Sequence, residues 1–173
     1  AFKLIELNSK YKFIKKNTKL LDIGAYPGGW SQVSSKIITS GKILSLDLQK
    51  MSKLKNVTFL QANFLEENTK KKIFEFFRNN LDVVISDMAA DTTGSKSLDC
   101  IRTNQLCANV VNFSSKILKP NGVLVSKLFM GEDFLEVKEL AKTTFKKVQF
   151  FKPEASRNES KETYIHCAIL KTL

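Results

Sequence analysis

The chain has 173 residues, 43% of them hydrophobic, which is enough for one domain with a sizeable core. Its apolar runs are all shorter than the ~18 residues that a membrane-spanning helix needs, so no membrane span is predicted. Lysine and arginine outnumber the acidic residues by 28 to 17, and the net charge of +11 favours a polyanionic partner such as nucleic acid. The alternative is that a lysine-rich composition has charged a solvated surface.

Strand and helix signals alternate along the chain. Strands are predicted at residues 19–25, 42–48, 57–63, 81–88, 122–129, 147–152 and 162–170, and helices at 30–39, 66–78, 101–118 and 133–145. Helices between successive strands indicate right-handed crossovers, which produce a mostly parallel sheet with helices on both faces. Only a polar loop, 153–161, joins the last two strands, so they are expected to pair as an antiparallel hairpin at the sheet edge.

Residues 1–16 form a basic N-terminal arm that is expected to be partly helical. Four apolar side chains could anchor this arm to the body of the domain: Phe2, Leu4, Ile5 and Leu7. The chain contains no internal repeat and no linker long enough to divide it, so residues 1–173 are predicted to form a single domain.

Glycines and polar residues after the first three strands predict an adenosine site. Gly24, Gly28 and Gly29 follow the first strand, where glycines let a ligand approach the backbone beside a helix N-terminus. Asp47 ends the second strand and can accept hydrogen bonds from both ribose hydroxyls, while Asn63 ends the third and could reach adenine. The alternative is that Asp47 and Asn63 are ordinary turn residues. The glycine spacing argues against a nicotinamide-dependent oxidoreductase.

Two residues beside the glycine turn allow two interpretations each. Trp30 either contacts a ligand or packs in the core at the start of a helix. Asp22 either contributes to the amino-acid end of a ligand or caps the turn.

Lys127 lies at the end of an apolar strand that is predicted to be buried on both faces. A buried ammonium is costly unless it is paired or takes part in chemistry. Asp87 and Glu162 also stand at strand ends, and Lys3 lies in the N-terminal arm, so the four could form a proton-handling site. The alternatives are a structural ion pair between Lys127 and Asp87, and solvated surface charge for Lys3 and Glu162.

Five segments occur in a specific order along the chain. They are Phe2-Lys-Leu4, Asp22-Ile-Gly-Ala-Tyr-Pro-Gly-Gly-Trp-Ser-Gln32, Ser86-Asp-Met-Ala89, Val125-Ser-Lys-Leu-Phe129 with Gly131, and Ser156-Arg157 followed by Glu162-Thr-Tyr-Ile165. Together they resemble the FtsJ-like ribose 2′-O-methyltransferases that act on ribosomal RNA. The resemblance covers almost the whole chain.

The resemblance implies an S-adenosylmethionine-dependent RNA methyltransferase of the α/β class. The implied fold is a Rossmann-like class I methyltransferase, with a seven-stranded, mostly parallel sheet, an antiparallel final strand and helices on both faces. The resemblance also implies a catalytic tetrad, which maps to Lys3, Asp87, Lys127 and Glu162. The implied cofactor contacts are Gly28, Gly29, Trp30, Asp47, Asn63 and Asp87.

The segment Ser86-Asp-Met-Ala89 is more similar to the bacterial and mitochondrial large-subunit rRNA enzymes than to their tRNA-acting relatives. The expected reaction is therefore 2′-O-methylation of a uridine in large-subunit ribosomal RNA. Asn63 stands where the family usually has an acid, and its amide keeps a hydrogen-bond acceptor but lacks the charge. Methylation of tRNA or another RNA, and a non-catalytic RNA-binding or ribosome-assembly role, are the alternatives.

Lys127 is the candidate general base for the ribose hydroxyl proton. A free lysine has a pKa of ~10.4 and is a poor base at neutral pH. Burial and the charge of Lys3 would lower the pKa of Lys127, whereas Asp87 and Glu162 would raise it. Asp87 is expected to orient Lys127, and Glu162 and Lys3 are expected to position the target ribose and phosphate.

The candidate RNA contacts are basic residues of the arm and of the loop before Glu162. They are Lys10, Lys12, Lys15, Lys16, Lys19, Lys152, Arg157 and Lys161. Arg157 and Lys161 are favoured because they lie nearest the predicted active site, whereas residues 70–72 are expected to form a solvated helix face. The predicted partner is ribosomal RNA within the large subunit, with no membrane and no obligate protein partner.

The three cysteines, Cys100, Cys107 and Cys167, show no zinc or redox spacing, which favours a reduced, cytoplasmic protein in which they are structural. His166 lies inside the last strand and is expected to be packed, with no catalytic role. No motif predicts a metal site. Because the sequence starts at Ala1 without a Met, a mitochondrial or other organellar location stays open.

Overall fold

The computed structural model describes residues 1–131 and 133–172. The strands are β1 (Lys19–Ile23), β2 (Lys42–Asp47), β3 (Thr58–Gln61), β4 (Leu81–Ser86), β5 (Leu118–Phe129), β6 (Phe145–Phe151) and β7 (Glu162–Leu170). The helices are α1 (Phe2–Tyr11), α2 (Gly29–Ile37), α3 (Glu67–Phe77), α4 (Lys96–Ile117) and α5 (Phe134–Thr144).

The seven strands form one sheet in the order β3-β2-β1-β4-β5-β7-β6. The pairs from β3 to β5 are all parallel, whereas β7 is antiparallel to both β5 and β6. The predicted mostly parallel sheet and the antiparallel hairpin at its edge are therefore confirmed. Parallel pairing places the carboxyl ends of β1, β2, β4 and β5 on the same side of the molecule.

Two apolar clusters cover the two faces of the sheet. The larger cluster packs α3, α4 and α5 against the sheet through side chains such as Ile73, Val110 and Val137. The smaller cluster packs α1 and α2 against the other face through Leu4 and Trp30. The structure thus confirms helices on both faces.

The N-terminal arm is anchored by only two of its four predicted residues. Leu4 and Leu7 are completely buried, whereas Phe2 is 76% exposed and Ile5 is 50% exposed. Residues three apart share a face of a helix, so α1 turns Leu4 and Leu7 inward and Phe2 and Ile5 outward. The prediction that Phe2 and Ile5 anchor the arm is wrong.

Several predicted boundaries also differ from the structure, among them the three that follow. Helix α4 begins at Lys96 rather than at residue 101, because Ser95 caps it by accepting a hydrogen bond from the Leu98 amide. Strand β3 ends at Gln61, so Asn63 lies beyond the strand rather than at its end. Strand β5 begins at Leu118 rather than at residue 122, with an irregularity in its pairing with β4 between Leu118 and Val123.

Within residues 1–131 and 133–172, no helix is long and apolar enough to cross a bilayer. The same residues include no group of three or more His, Cys, Asp or Glu side chains arranged to hold a metal ion. All three cysteines are free, and Cys107 and Cys167 are buried in the structure.

Candidate active site

Three of the predicted tetrad residues converge where β4 and β5 end and β7 begins. Lys127 Nζ lies 3.2 Å from Asp87 Oδ1 and 3.1 Å from Glu162 Oε2. The side chains of Lys127 and Glu162 are each only 11% exposed. The buried ammonium anticipated from the sequence is therefore paired with two carboxylates.

Helix α1 brings the fourth member, Lys3, to the same cluster. The Lys3 ammonium forms an ion pair with Glu162 Oε1, whereas Lys127 pairs with Oε2. One turn along α1, the Glu6 carboxylate accepts hydrogen bonds from the backbone amides of Glu154 (2.7 Å) and Ala155 (2.9 Å). These contacts fix α1 to the loop before β7, so Lys3 and Glu162 are not solvated surface charges.

Tyr164 is a member of the cluster to which the sequence analysis assigned no role. Its hydroxyl donates a hydrogen bond to Asp87 Oδ1 at 2.5 Å and lies 3.4 Å from Glu162 Oε1. The side chain is fully buried, and its ring packs beside Trp30 with 5.6 Å between ring centroids. Residues two apart in a strand point to the same face, so the spacing from Glu162 was the signal that could have identified Tyr164.

Burial and ion pairing act in opposite directions on the pKa values of the cluster. Burial lowers the pKa of Lys127, but the charges and hydrogen bonds of Asp87 and Glu162 outweigh it, so the pKa lies above its ordinary value. Burial raises the pKa of Glu162, but Lys3 and Lys127 hold it below its usual range. At neutral pH Lys127 is therefore an ammonium and Glu162 a carboxylate.

Asn104, a completely buried residue of α4, fixes the end of β5 next to Lys127. Its side-chain carbonyl accepts a hydrogen bond from the Phe129 amide at 2.7 Å, and its amide donates to the Phe129 carbonyl at 2.9 Å. The same amide donates to Asp133 Oδ1 at 2.8 Å. The strand that carries Lys127 is thus clamped two residues beyond it.

The glycine turn after β1 requires glycine at two positions. Gly24 has φ +75°, and a Cβ atom there would lie 2.2 Å from Met88 Cγ. Gly28 has φ +118° and caps the N-terminus of α2. Backbone in the left-handed region strains any residue with a side chain, so this turn depends on its glycines.

A cavity of about 310 Å³ lies between this turn and the tetrad. Its lining includes Gly29, Trp30 and Asp87, three of the predicted cofactor residues, together with Lys3 and Asp22. The volume is at the lower end of the ~300–1,000 Å³ that small-molecule sites occupy. Trp30 both packs in the core, at 5% exposure, and borders this cavity.

Asp22 is the most unusual group in the cavity wall, because it is buried to 1% exposure. Its Oδ2 accepts a hydrogen bond from the Ser31 hydroxyl at 2.7 Å, while Oδ1 has no hydrogen-bond partner among the described residues. Burial raises the pKa of Asp22 to about 7, assisted by the charges of Asp87 and Asp47 and opposed by Ser31. An unpartnered buried carboxylate oxygen suits a ligand that carries an ammonium group.

Asp47 and Asn63 hold turns in the structure and do not line the 310 Å³ cavity. Asp47 accepts hydrogen bonds from the backbone amides of Tyr26 (3.0 Å) and Gln49 (2.8 Å). Asn63 Oδ1 accepts one from the Leu65 amide at 2.9 Å. Each of these oxygens can accept a second hydrogen bond. Ligand contacts of Asp47 and Asn63 therefore stay predictions.

A second cavity, of about 690 Å³, opens at the same end of the sheet. Its wall combines small or apolar residues such as Ala89 and Phe129 with charged residues such as Asp99 and Lys161. Ala89 is two residues after Asp87 and Lys161 precedes Glu162, so this cavity is lined by the segments next to two tetrad residues, whereas Lys3 and Asp87 themselves line the smaller cavity. This end of the sheet therefore has room for two ligands.

The predicted RNA contacts divide between the two ends of the molecule. Arg157 and Lys161 are exposed on the loop before Glu162. The Lys152 ammonium instead donates to the backbone carbonyls of Ser160 and Glu162, which fixes that loop. Three lysines of the N-terminal arm, together with Lys19 at the start of β1, lie at the opposite end of the sheet from the tetrad: Lys10, Lys12 and Lys15.

The strand order, the glycine turn and the cavity beside it define a Rossmann-like methyltransferase. The family model for FtsJ-like methyltransferases matches residues 1–170, and the chain belongs to that family. It is an enzyme of the methyltransferase class.

Individual relatives agree with this assignment. The chain is 43% identical over 171 residues to ribosomal RNA large subunit methyltransferase E of Pelagibacter ubique, spanning 99% of this chain and 84% of the relative. It is 44% identical over 171 residues to the Rickettsia akari protein of the same name, spanning 95% and 75%. A Plasmodium falciparum crystal structure assigned as a ribosomal RNA methyltransferase superposes with a TM-score of 0.85 at 29% identity, over 98% and 95% of the two chains.

Proposed function

We propose that this protein transfers a methyl group from S-adenosylmethionine to the ribose 2′-hydroxyl of a uridine in large-subunit ribosomal RNA. The observation that carries the proposal is the buried Lys127 ammonium, which Asp87 and Glu162 hold at the end of the sheet where both cavities open. The relatives named ribosomal RNA large subunit methyltransferase E support the choice of RNA. The proposal treats residues 1–173 as one methyltransferase domain that works in the cytoplasm on the large ribosomal subunit.

The residues around the 310 Å³ cavity fit S-adenosylmethionine. Asp22, with its unpartnered buried oxygen, would hold the ammonium of the methionine part, and Gly28, Gly29 and Trp30 would border it. Asp47 would accept hydrogen bonds from the ribose hydroxyls, and Asn63 would contact adenine. When bound, this cofactor supplies a methyl group on a sulfonium, which is already activated for transfer.

The 690 Å³ cavity would receive the target nucleoside. Its apolar wall at Ala89 and Phe129 suits a base, and its flanking Lys161 suits a phosphate. Lys3 and Glu162 would then hold the ribose so that the 2′-oxygen points toward the methyl group. Such positioning can supply much of the rate.

Lys127 would act as the general base, and the structure adds a condition to this role. Asp87 and Glu162 raise the pKa of Lys127, so it must lose a proton before it can accept one from the ribose. Tyr164 and Lys3 compete with Lys127 for Asp87 and Glu162, respectively. This competition limits how strongly either carboxylate holds the Lys127 proton.

The test is incorporation of labelled methyl groups from S-adenosylmethionine into isolated large subunits, free ribosomal RNA and tRNA. We expect incorporation into ribosomal RNA, and nuclease digestion should yield a 2′-O-methyluridine. Incorporation into tRNA alone would refute the choice of RNA. Cofactor binding without incorporation into any RNA would indicate a non-catalytic protein.

A further inference from the structure

A cleft of about 630 Å³ lies at the amino end of the sheet. Its basic lining comes from three separate parts of the chain: Lys10, Lys12, Lys15, Lys19, Lys119 and Lys147. Lys19 begins β1 and Lys119 is the second residue of β5, whereas Lys127 is near the carboxyl end of β5. Lys119 pairs with Asp82 and Lys127 with Asp87, five residues further along, so at about 3.3 Å per strand residue this amino-end cleft is roughly 17 Å from the tetrad.

The positive charge of the cleft is largely uncompensated. Asp82 is the one acidic residue in the described lining, and its two oxygens are already used. Oδ1 pairs with the Lys119 ammonium at 3.0 Å, and Oδ2 accepts a hydrogen bond from the Lys19 backbone amide at 2.8 Å. Lys12, Lys15 and Lys147 are exposed, with no carboxylate within ion-pair distance in residues 1–131 and 133–172.

The floor of the cleft includes two stacked rings, one of them buried. His166 is 7% exposed and stacks on Tyr11 with 4.0 Å between ring centroids and 8° between planes. Lys10 Nζ lies 4.9 Å from the centroid of the Phe151 ring. His166 Nδ1 has no hydrogen-bond partner within the described part of the chain. The lysines of the cleft therefore lie next to side chains that are packed against one another.

Burial, together with the charge of Lys147, lowers the pKa of His166 to about 4. The imidazole is consequently neutral at physiological pH and adds no charge of its own. The cleft concentrates lysine charge without the carboxylates that neutralise Lys3 and Lys127 at the other end. Such a surface suits a partner with regularly spaced negative charges.

We infer that the amino-end cleft binds the phosphate backbone of the substrate RNA, at a distance from the methylated nucleotide. The inference rests on the proposed function, because that function supplies an RNA large enough to reach both ends of the sheet. The cleft would add affinity by neutralising phosphates without selecting a base, since phosphate contacts carry no direct sequence information. Recognition of the target nucleotide would stay with the catalytic end.

The test compares two double variants that remove the same charge. Lys15→Gln with Lys147→Gln alters the cleft, and Lys71→Gln with Lys72→Gln alters exposed lysines of α3. Binding of transcribed large-subunit ribosomal RNA is measured over a salt series. For two lost phosphate contacts, the slope of log affinity against log salt should fall by about 1.4 to 1.8 in the cleft variant only. Lys15→Arg with Lys147→Arg should restore the slope.

Methyl transfer gives the second readout. The cleft variant should need more RNA for half-maximal rate, while its rate at saturating RNA stays unchanged, because the tetrad is intact. Equal slopes in both Gln variants, or no change in either, would overturn the inference. If the wild-type protein methylated no RNA, the proposed function would fail, but the salt slopes would still test the cleft.

Discussion

The two ends of the sheet differ in whether their basic side chains are paired with carboxylates. At the carboxyl end, Lys127 and Lys3 share the carboxylates of Glu162 and Asp87, so a charge inside the protein is retained. At the amino end, burial keeps His166 neutral, while exposed lysines such as Lys147 have no carboxylate partner among residues 1–131 and 133–172. Pairing fixes geometry at the first end, and the absence of pairing leaves charge available for a partner at the second.

The largest effect is expected from Lys127→Ala, which removes the paired ammonium at the carboxyl end of the sheet. We expect methyl transfer to fall by about 10²- to 10⁴-fold, the usual contribution of a positioned acid or base. Cofactor binding should be nearly intact. Stability should fall by roughly 1 to 3 kcal/mol, because Asp87 and Glu162 lose a charged hydrogen-bond partner but keep Tyr164 and Lys3, respectively. Labelled-methyl incorporation, cofactor titration and thermal unfolding measure these effects.

The matched control is Lys70→Ala, which removes a surface ion pair with Glu67 at 3.5 Å. Exposed pairs contribute at most about 1 kcal/mol, so this variant should behave like the wild type. Near-normal turnover of Lys127→Ala would end its assignment as the base.

The pH dependence of methyl transfer tests the protonation state of Lys127. Its pKa lies above the ordinary lysine value, so only a small neutral fraction exists at neutral pH. If that fraction reacts, the rate at saturating substrates should rise about tenfold per pH unit between about pH 7 and 9. A rate that is flat over this range would mean that Lys127 stays protonated and acts only by positioning.

Asp22→Asn should separate stability from cofactor binding. Folding raises the pKa of Asp22 from 3.8 to about 7, so the folded protein loses stability relative to the unfolded chain as pH rises between these values. The variant lacks this loss, so its stability relative to wild type should improve by on the order of 4 kcal/mol between pH 4 and 8. Cofactor affinity should fall. Denaturant unfolding at several pH values measures the stability difference between the variant and the wild type. A difference that does not change with pH would contradict the raised pKa of Asp22.

His166→Phe tests the neutral group at the other end. The pKa of His166 falls from 6.5 to about 4 on folding, so wild-type stability declines as pH drops through this interval, when only the unfolded chain gains the proton. The variant has no such group, so it should not show this decline in folding stability, which is on the order of 3 kcal/mol in the wild type. The quantity to follow is the stability difference between the two proteins from pH 7 to 4. Parallel curves would show that His166 titrates normally.

Tyr164→Phe gives the smallest expected effect and probes how Asp87 is held. The ring and its contact with Trp30 are kept, while the hydrogen bond to Asp87 is lost. Stability should fall by about 1 to 3 kcal/mol, as for a buried hydrogen bond to a charged group. Methyl transfer should slow because Asp87 is less constrained. An unchanged rate would show that Lys127 alone orients Asp87.

Much of this architecture could be predicted from local sequence patterns. Alternating strand and helix signals were sufficient for the sheet class, and strand-end positions identified Asp87, Lys127 and Glu162 as neighbours. Glycines at 24 and 28 were informative because their positive φ angles leave few other residues possible. These features depend on short segments, whose physics is visible in the sequence.

Features that depend on tertiary contacts were not predictable in the same way. Burial lowers the pKa of Lys127 and the two carboxylates raise it, so the direction of the net shift is known only once the distances are known. The first turn of α4 is polar and shows no apolar periodicity. The sequence therefore does not indicate where the helix begins, whereas the Ser95 cap in the structure does. The amino-end cleft combines Lys15, Lys119 and Lys147, which no linear motif connects.

The position of β7 has a consequence for how the protein is made. This strand follows β6 in the chain but lies between β5 and β6 in the sheet, so β6 has no neighbouring strand until β7 has been synthesised. Glu162, the first residue of β7, joins Lys3 across 159 positions of sequence. A growing chain on the ribosome thus carries Lys127 before Glu162 has been synthesised, so the proposed catalytic tetrad is complete only when β7 closes the sheet.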